Sequence, residues 1–264
     1  MAIAHGVATD REIEFRLLGP LEVRARGRRL AVGGPRQRAV LAALLLRADR
    51  VATVDYLARA VWGRPPASMR ANLRTYVAAL RRVLGDPGDG RRIVTQPDGY
   101  RLLVRRDECD VARFEYWRVS GDRAARTGDT ERAAQCYDHA LSVWRGGLLD
   151  GLPAVGPALR AEADRWEERR LAVLERSVEV RLLLGAHEDV FDVLYGVVAE
   201  HPLRERFWGQ LMRGLYASGR RAEALDTYRR ARRFLVSELG VEPGEDLQGI
   251  QQMILDGTLI GDAC

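Results

Sequence analysis

Lysine is absent from all 264 residues, so the 42 positive side chains are arginines. That absence excludes Schiff-base lysine chemistry and the phosphate-binding loop whose last turn needs Lys before Ser or Thr. Coding bias toward arginine, suggested also by the many Ala, Gly and Leu, accounts for the replacement. Cysteine is scarce: Cys109, Cys136 and Cys264 are odd in number, far apart and without a C-x-x-C spacing. His5, His139, His187 and His201 are equally scattered, so no disulfide framework, metal site or cofactor site is indicated. Long apolar runs are missing too. The longest, AVLAALLL at Ala39–Leu46, is eight residues and is stopped by Arg47, which suits a buried helix and not a membrane span. The opening MAIAHGVATDRE lacks a basic region followed by an apolar one, so a secretory signal is not expected and residues 1–11 read as a loose tail. A cytoplasmic protein associated with the nucleoid, not with membrane, is the expectation.

No catalytic constellation emerges either. The paired acids Glu167-Glu168 stand beside Arg165, Arg169 and Arg170, a pattern of surface salt bridges and not of acid–base catalysis. An enzyme is not expected.

Charge is present but unevenly divided. Residues 1–106 carry 21 arginines against 9 acids, a net +12; residues 107–264 carry 21 against 28, a net −7, and the two recover the overall +5. Such a split predicts a basic module that meets a polyanion and an acidic module with another task.

The order of elements agrees with that division. IEFRLL and LEVRA alternate, RRLAV follows the Gly27 turn, and Gly33-Gly34-Pro35 closes this short antiparallel sheet before a helix. RQRAVLAALLLRA reads as a central apolar helix. A short extended piece and a compact helix over Val54–Trp62 follow, then the breaker Pro65-Pro66 and a helix within SMRANLRTYVAALRRVLG, Ser68–Gly85. RRIVTQPDGYRLLV reads as two strands turning at Pro97-Asp98-Gly99, with Gly99 supplying positive φ and Arg101 near the tip. Strands, three helices and a hairpin over 12–106 predict an α+β winged helix-turn-helix. From residue 107 to 264 the pattern is helical throughout. RTGDTERAAQCYDHALSVW, LLGAHEDVFDVLYGVVAEH and ASGRRAEALDTYRRARRFL align on Gly128, Gly185 and Gly219. Ala133, Val190 and Ala224 then correspond, as do Tyr137, Leu194 and Tyr228, and Ala140, Val197 and Ala231. A spacing of about 34 residues between the last two glycines is that of a tetratricopeptide (TPR) repeat. The first pair implies an insertion. The fold expected for this half is an all-α TPR-like domain of stacked helix pairs.

The helix after Pro66 carries the chemistry. Met69, Leu73, Val77, Leu80 and Leu84 fall within about 80° on a helical wheel, a core seam. The opposite side holds Arg70, Ala71, Arg74, Thr75, Ala78, Arg81 and Arg82, and no acid occurs from Ala67 to Gly85. A solvated helix face normally mixes Glu with Arg. Arginines separated by alanines leave little bulk to keep the backbone out of a groove, and Arg can bond guanine O6 and N7 together. Arg91, Arg92 and Arg101 of the hairpin are candidates for minor-groove or phosphate contact, and Arg36 and Arg38 for backbone phosphates beside a helix N-terminus. Tyr100 is expected to pack the hairpin onto the helices. Tyr137, Trp144, Trp166, Trp208 and Tyr228 read as core more than as a ligand pocket.

FRLLGPLEVRARGRRLAVGGPRQRAVLAALLLRADRVATVDYLARAVWG, ANLRTYVAALRRVLG and DGYRLLV together resemble the OmpR-type DNA-binding domain as it occurs in the SARP (antibiotic regulatory protein) family of actinomycete activators. ECDVARFE, RAAQCYDHALSVWRG and EALDTYRRARRFLVSELGVEPGEDLQ are similar to that family's bacterial transcriptional activation domain. The resemblance spans roughly residues 13–255. It implies binding of double-stranded DNA at direct repeats near the −35 region of secondary-metabolite promoters, recruitment of RNA polymerase, and dimers or side-by-side protomers on DNA. It places Arg70, Arg74 and Thr75 on the base-reading part of the recognition helix, with Arg81 and Arg82 nearer phosphate. Neither a receiver domain before the module nor an ATPase, sensor or forkhead-associated domain after it is expected, so control by phosphorylation or ATP within the chain is not expected. The alternative is an interaction adaptor or ligand-sensing regulator whose winged module contacts protein. The acid-free arginine face argues against it.

Overall fold

The computed structural model describes residues 13–85, 92–153 and 155–257. The chain forms two compact units, one made of the chain up to Arg118 with His139–Arg170, the other of Val119–Asp138 with the chain from Leu171 onward.

In the first unit the alternating segments become an antiparallel sheet, β1 (Ile13–Arg16), β2 (Glu22–Ala25) and β3 (Arg28–Arg29), in that order. Ile13 pairs with Ala25 and Arg16 with Glu22, a register that turns Ile13, Phe15 and Val23 inward. The helix α1 (Pro35–Leu45) opens on Pro35, whose fixed φ suits a first helical position, and buries every residue from Ala39 to Leu45. It packs against α2 (Val54–Val61) and α3 (Met69–Val83), which also touch each other. A second sheet of β4 (Val51–Thr53), β5 (Ile93–Gln96) and β6 (Gly99–Leu102) runs in the order β4-β6-β5. The strand that precedes α2 therefore completes the hairpin as a third member, a pairing that local alternation could not reveal.

Among the described residues helices follow without further strands: α4 (Asp110–Arg126), α5 (Thr130–Leu141), α6 (Pro157–Leu183), α7 (Phe191–Glu200), α8 (Glu205–Ala217), α9 (Arg221–Leu239) and α10 (Glu245–Asp256). Each of α4, α5 and α6 contributes residues to both units, so strands give out near residue 106 while compactness divides elsewhere. In the first unit Asp110, buried in the first turn of α4, accepts the Leu17 amide at 2.9 and 2.7 Å and the Leu18 amide at 2.9 Å. It so holds the end of β1 with backbone donors that would otherwise be orphaned. Phe114 packs edge-on against Trp144 and Trp166, with centroids 5.5 and 5.8 Å away.

The second unit is built from helix pairs. Gly128, Gly185 and Gly219 each sit in the turn of a pair, at φ of 77°, 75° and 76°, where a Cβ is disfavoured. All nine residues aligned on them, from Ala133 to Ala231, are buried. Close helix approach explains the small ones: a Cβ on Gly121 of α4 would stand 2.6 Å from the ring of Tyr137 on α5. The main core of this unit gathers Leu194, Phe207, Leu211, Leu215, Tyr228 and Leu247. The inserted stretch between α5 and α6 belongs to the first unit, where Leu148 bridges Leu18 and Gly19. Tyr137, Trp166, Trp208 and Tyr228 are buried, as core aromatics should be, whereas Trp144 is only half-buried. Among the described residues no helix is long and apolar enough to cross a membrane, and no cluster of three His, Cys, Asp or Glu could hold a metal ion.

Candidate nucleic-acid interface

The approach to α3 is fixed locally. Thr53 caps α2, its hydroxyl accepting the Tyr56 amide at 3.2 Å, and the Asp98 carbonyl at the hairpin turn accepts the Val54 amide at 2.9 Å. The chain leaves α2 through extended Trp62 and passes Pro65 and Pro66, which cannot continue a helix, before α3 begins. Leu73, Val77, Leu80 and Leu84 anchor α3, and the Trp62 and Tyr76 rings lie 6.3 Å apart. The opposite side exposes Arg70, Ala71, Arg74, Thr75, Ala78 and Arg82. Among the described residues none bonds or pairs with the side chains of Arg70, Arg74 or Arg82. Thr75 donates its hydroxyl to the Ala71 carbonyl at 3.1 Å, which lays the side chain along the helix and leaves its lone pairs outward. The result is a ridge of free guanidinium groups over a floor of two alanines.

Arg81 departs from the sequence expectation. It is half-buried, and its Nε and Nη2 donate to the Ile93 carbonyl at 3.0 and 2.6 Å while Nη2 also reaches Thr95 Oγ1 at 2.8 Å. The side chain pins α3 to β5 and is not presented to phosphate. The cause is register: residue 81 sits at the edge of the exposed arc, next to a strand whose edge carbonyls need donors.

The hairpin corrects three more expectations. Arg101 does not sit near the tip. It lies in β6, the central strand, paired with Val51 on one side and Val94 on the other. Gly99 is not required for positive φ, because it lies outside that region; a Cβ there would come within 2.1 Å of the Ala52 carbonyl oxygen, so glycine lets β4 approach β6. Arg92 forks onto buried Glu108 with two bonds of 3.0 Å and closes the base of the hairpin, away from its turn. Burial raises the Glu108 carboxyl, but the Arg92 fork and the Arg105 amide outweigh it and hold the group below its ordinary value. Tyr100 is buried, as expected. Arg91 lies outside the described residues.

At the start of α1, Arg36 is exposed and unbonded among the described residues, whereas Arg38 donates to the Leu21 carbonyl at 3.0 Å and braces the first sheet. Helical spacing could not distinguish the two. Arg64, exposed and with its side chain unpaired among the described residues, stands on the loop leading into α3, where no helical period marks it. Of the residues expected to meet a polyanion, Arg70, Arg74, Thr75, Arg82 and Arg36 are exposed without a side-chain partner that would divert them, Arg101 is half-buried without one, and Arg64 adds an outlying charge.

A basic helix displayed by a three-helix core with a three-stranded wing defines an OmpR-type winged-helix module, here joined to a helical-repeat unit: the class is a transcriptional regulator. Residues 29–102 match the family described as "Transcriptional regulatory protein, C terminal", and residues 109–255 match "Bacterial transcriptional activator domain". The regulatory protein DnrI of Streptomyces peucetius is 36% identical over 251 residues, covering 92% of both chains. MoaR1 of Mycobacterium tuberculosis is 40% identical over 247 residues, 92% of this chain and 79% of that protein. AfsR of Streptomyces coelicolor is 41% identical over 92% of this chain, which spans 24% of it. The solved structure of Mycobacterium tuberculosis EmbR in complex with a low-affinity phosphopeptide superposes with a TM-score of 0.88 at 35% identity, over 94% of this chain and 66% of that one. The chain belongs to the SARP family of transcriptional regulators, with an OmpR-type domain and a bacterial transcriptional activator domain.

Proposed function

We propose that the protein is a sequence-specific DNA-binding activator, with residues 12–106 as the DNA-binding module and 107–264 as the activation module. The observation that carries this is the exposed face of α3. Three guanidinium groups there have no partner among the described residues, and Ala71 and Ala78 allow the helix to enter a major groove. Leaving three cations unpaired on one face is costly by mutual repulsion unless a polyanion covers them. Arg70, Arg74 and Thr75 face the bases in this reading, and Arg82 a phosphate. The family resemblance extends it to direct repeats near promoter −35 regions, protomers side by side, recruitment of RNA polymerase, and secondary-metabolite genes as targets.

The test is fluorescence anisotropy with duplexes from the promoter regions flanking the gene. Affinity should fall steeply between about 50 and 200 mM salt, since each neutralised phosphate contributes a slope of roughly −0.9 in log K against log salt. Binding that is undetectable or insensitive to salt would overturn the reading.

A further inference from the structure

The first unit contains a cavity of about 760 Å³ that the recognition helix does not touch. Its walls are the turn after α1, the segment from Val104 to Arg106, the outer side of α4 and the first turns of α6. Arg47, Arg50, Arg105, Arg106, Arg165 and Arg169 line it against three carboxylates, those of Asp49, Glu115 and Glu162, an excess of three positive charges. Pairing, with Asp107 counted as the partner of Arg105, reduces that excess to two but does not remove it. Arg165 bonds Glu162 at 3.1 Å, Arg169 bonds Glu115 at 3.2 Å, and Arg105 bonds Asp107 at 2.8 Å. Asp49 accepts the Val104 amide at 3.3 Å. Arg47, Arg50 and Arg106 have no carboxylate partner among the described residues. Arg47 lies over the Tyr56 ring at 4.1 Å, and Arg106 over Tyr116 at 5.8 Å. In the helical repeats, by contrast, Arg176 meets Asp122, Arg204 meets Glu175 and Arg232 meets Glu242.

A second feature points the same way. Tyr56 stands outside the cavity lining, its hydroxyl buried beside the Arg47 guanidinium and near the charges of Arg165 and Glu162. Burial pushes this phenol up against the opposing effect of Arg47, so it stays protonated behind that guanidinium. The turn that carries Arg47 and Arg50 is rigid, held by the Asp49 amide on the Leu102 carbonyl at 2.9 Å and the Arg50 amide on the Arg47 carbonyl at 2.9 Å. Planar guanidinium forks match phosphate oxygens, and the Arg47, Arg50 and Arg106 side chains are exposed to an arriving anion.

We propose that this cavity binds a small phosphate-bearing anion, of the size of a nucleoside di- or triphosphate, through Arg47, Arg50 and Arg106. The volume lies within the roughly 300–1,000 Å³ of small-molecule sites. The bound anion bridges the turn after α1 and the Arg106 segment.

Thermal unfolding of the full chain tests this, with sodium pyrophosphate and ATP as separate probes at matched ionic strength. Both should raise the melting temperature in a saturable way. The double variant R50A/R106A, which removes no hydrogen bond among the described residues, should melt as the wild type without probe and lose the shift, affinity falling roughly 10-fold or more per arginine. The variant R70A/R74A should keep the shift, which separates this site from the α3 face. Equal shifts with both probes would make the diphosphate the recognised group; a larger one with ATP would add the nucleoside. No shift, a shift that survives R50A/R106A, or one lost only in R70A/R74A overturns the proposal.

Discussion

The Arg81 guanidinium donates to the Ile93 carbonyl through both Nε and Nη2, at 3.0 and 2.6 Å. The last turn of the recognition helix is thereby tied to the first residue of the wing, so an arginine of the basic helix has a structural task. Arg81→Ala should lower unfolding free energy by about 1–3 kcal/mol, because the carbonyl of a buried strand residue loses its donors. Arg81→Lys should recover little of this, since an ammonium cannot supply a fixed fork. Urea denaturation of the three proteins checks the order.

Arg74 and Arg82 should separate a base reader from a phosphate contact. Arg74→Ala is expected to cost about 1–3 kcal/mol on the preferred duplex and to relax preference at one base position. Arg82→Ala should weaken all duplexes alike and reduce the salt slope by about one. Titrations over a set of single-base variants decide it; equal behaviour of the two mutants would refute the division of roles.

Gly99→Ala should destabilise by about 1–3 kcal/mol, because its Cβ would meet the Ala52 carbonyl oxygen of a neighbouring strand and force β4 from β6. Hydrogen exchange of the Val51–Thr53 amides should rise in this variant while exchange in α8 stays unchanged.

Acid should act through Glu108. Its carboxyl is held below the usual range, so the stabilisation is present above the unfolded-state value of about 4.3 and is lost as pH falls through the folded value. Glu108→Gln should therefore be clearly less stable than wild type near pH 7, and the gap should close below about pH 4. Thermal melts from pH 7 to 3 measure it. A gap constant across that range would assign the loss to packing instead.

Cys109 is buried beside Asp110, and burial, reinforced by that carboxylate, pushes its thiol up to about 12. With so little thiolate it should resist Ellman's reagent at pH 8 in the native state, as should buried Cys136. In a Cys264→Ser variant, colour should develop only after denaturant is added.

Local pattern determined much of this protein. Alternation with period two marked β1, β2 and the hairpin, and proline and glycine punctuation bounded α1 to α3. Three glycines followed by small and aromatic residues at helical spacing located the stacked helix pairs, since close approach restricts which side chains can stand there. The lack of acids from Ala67 to Gly85 marked the functional face for the same kind of reason, being a property of one helix read along its own period. Tertiary structure alone decided which arginines were free. Arg81 found Ile93, Arg92 found Glu108 and Arg38 found Leu21, while the side chains of Arg70, Arg74 and Arg82 found no partner among the described residues. An arginine's sequence gives its charge and its reach. Whether a carbonyl or carboxylate lies within that reach depends on segments 12 to 17 residues away in the chain, and only folding brings those together.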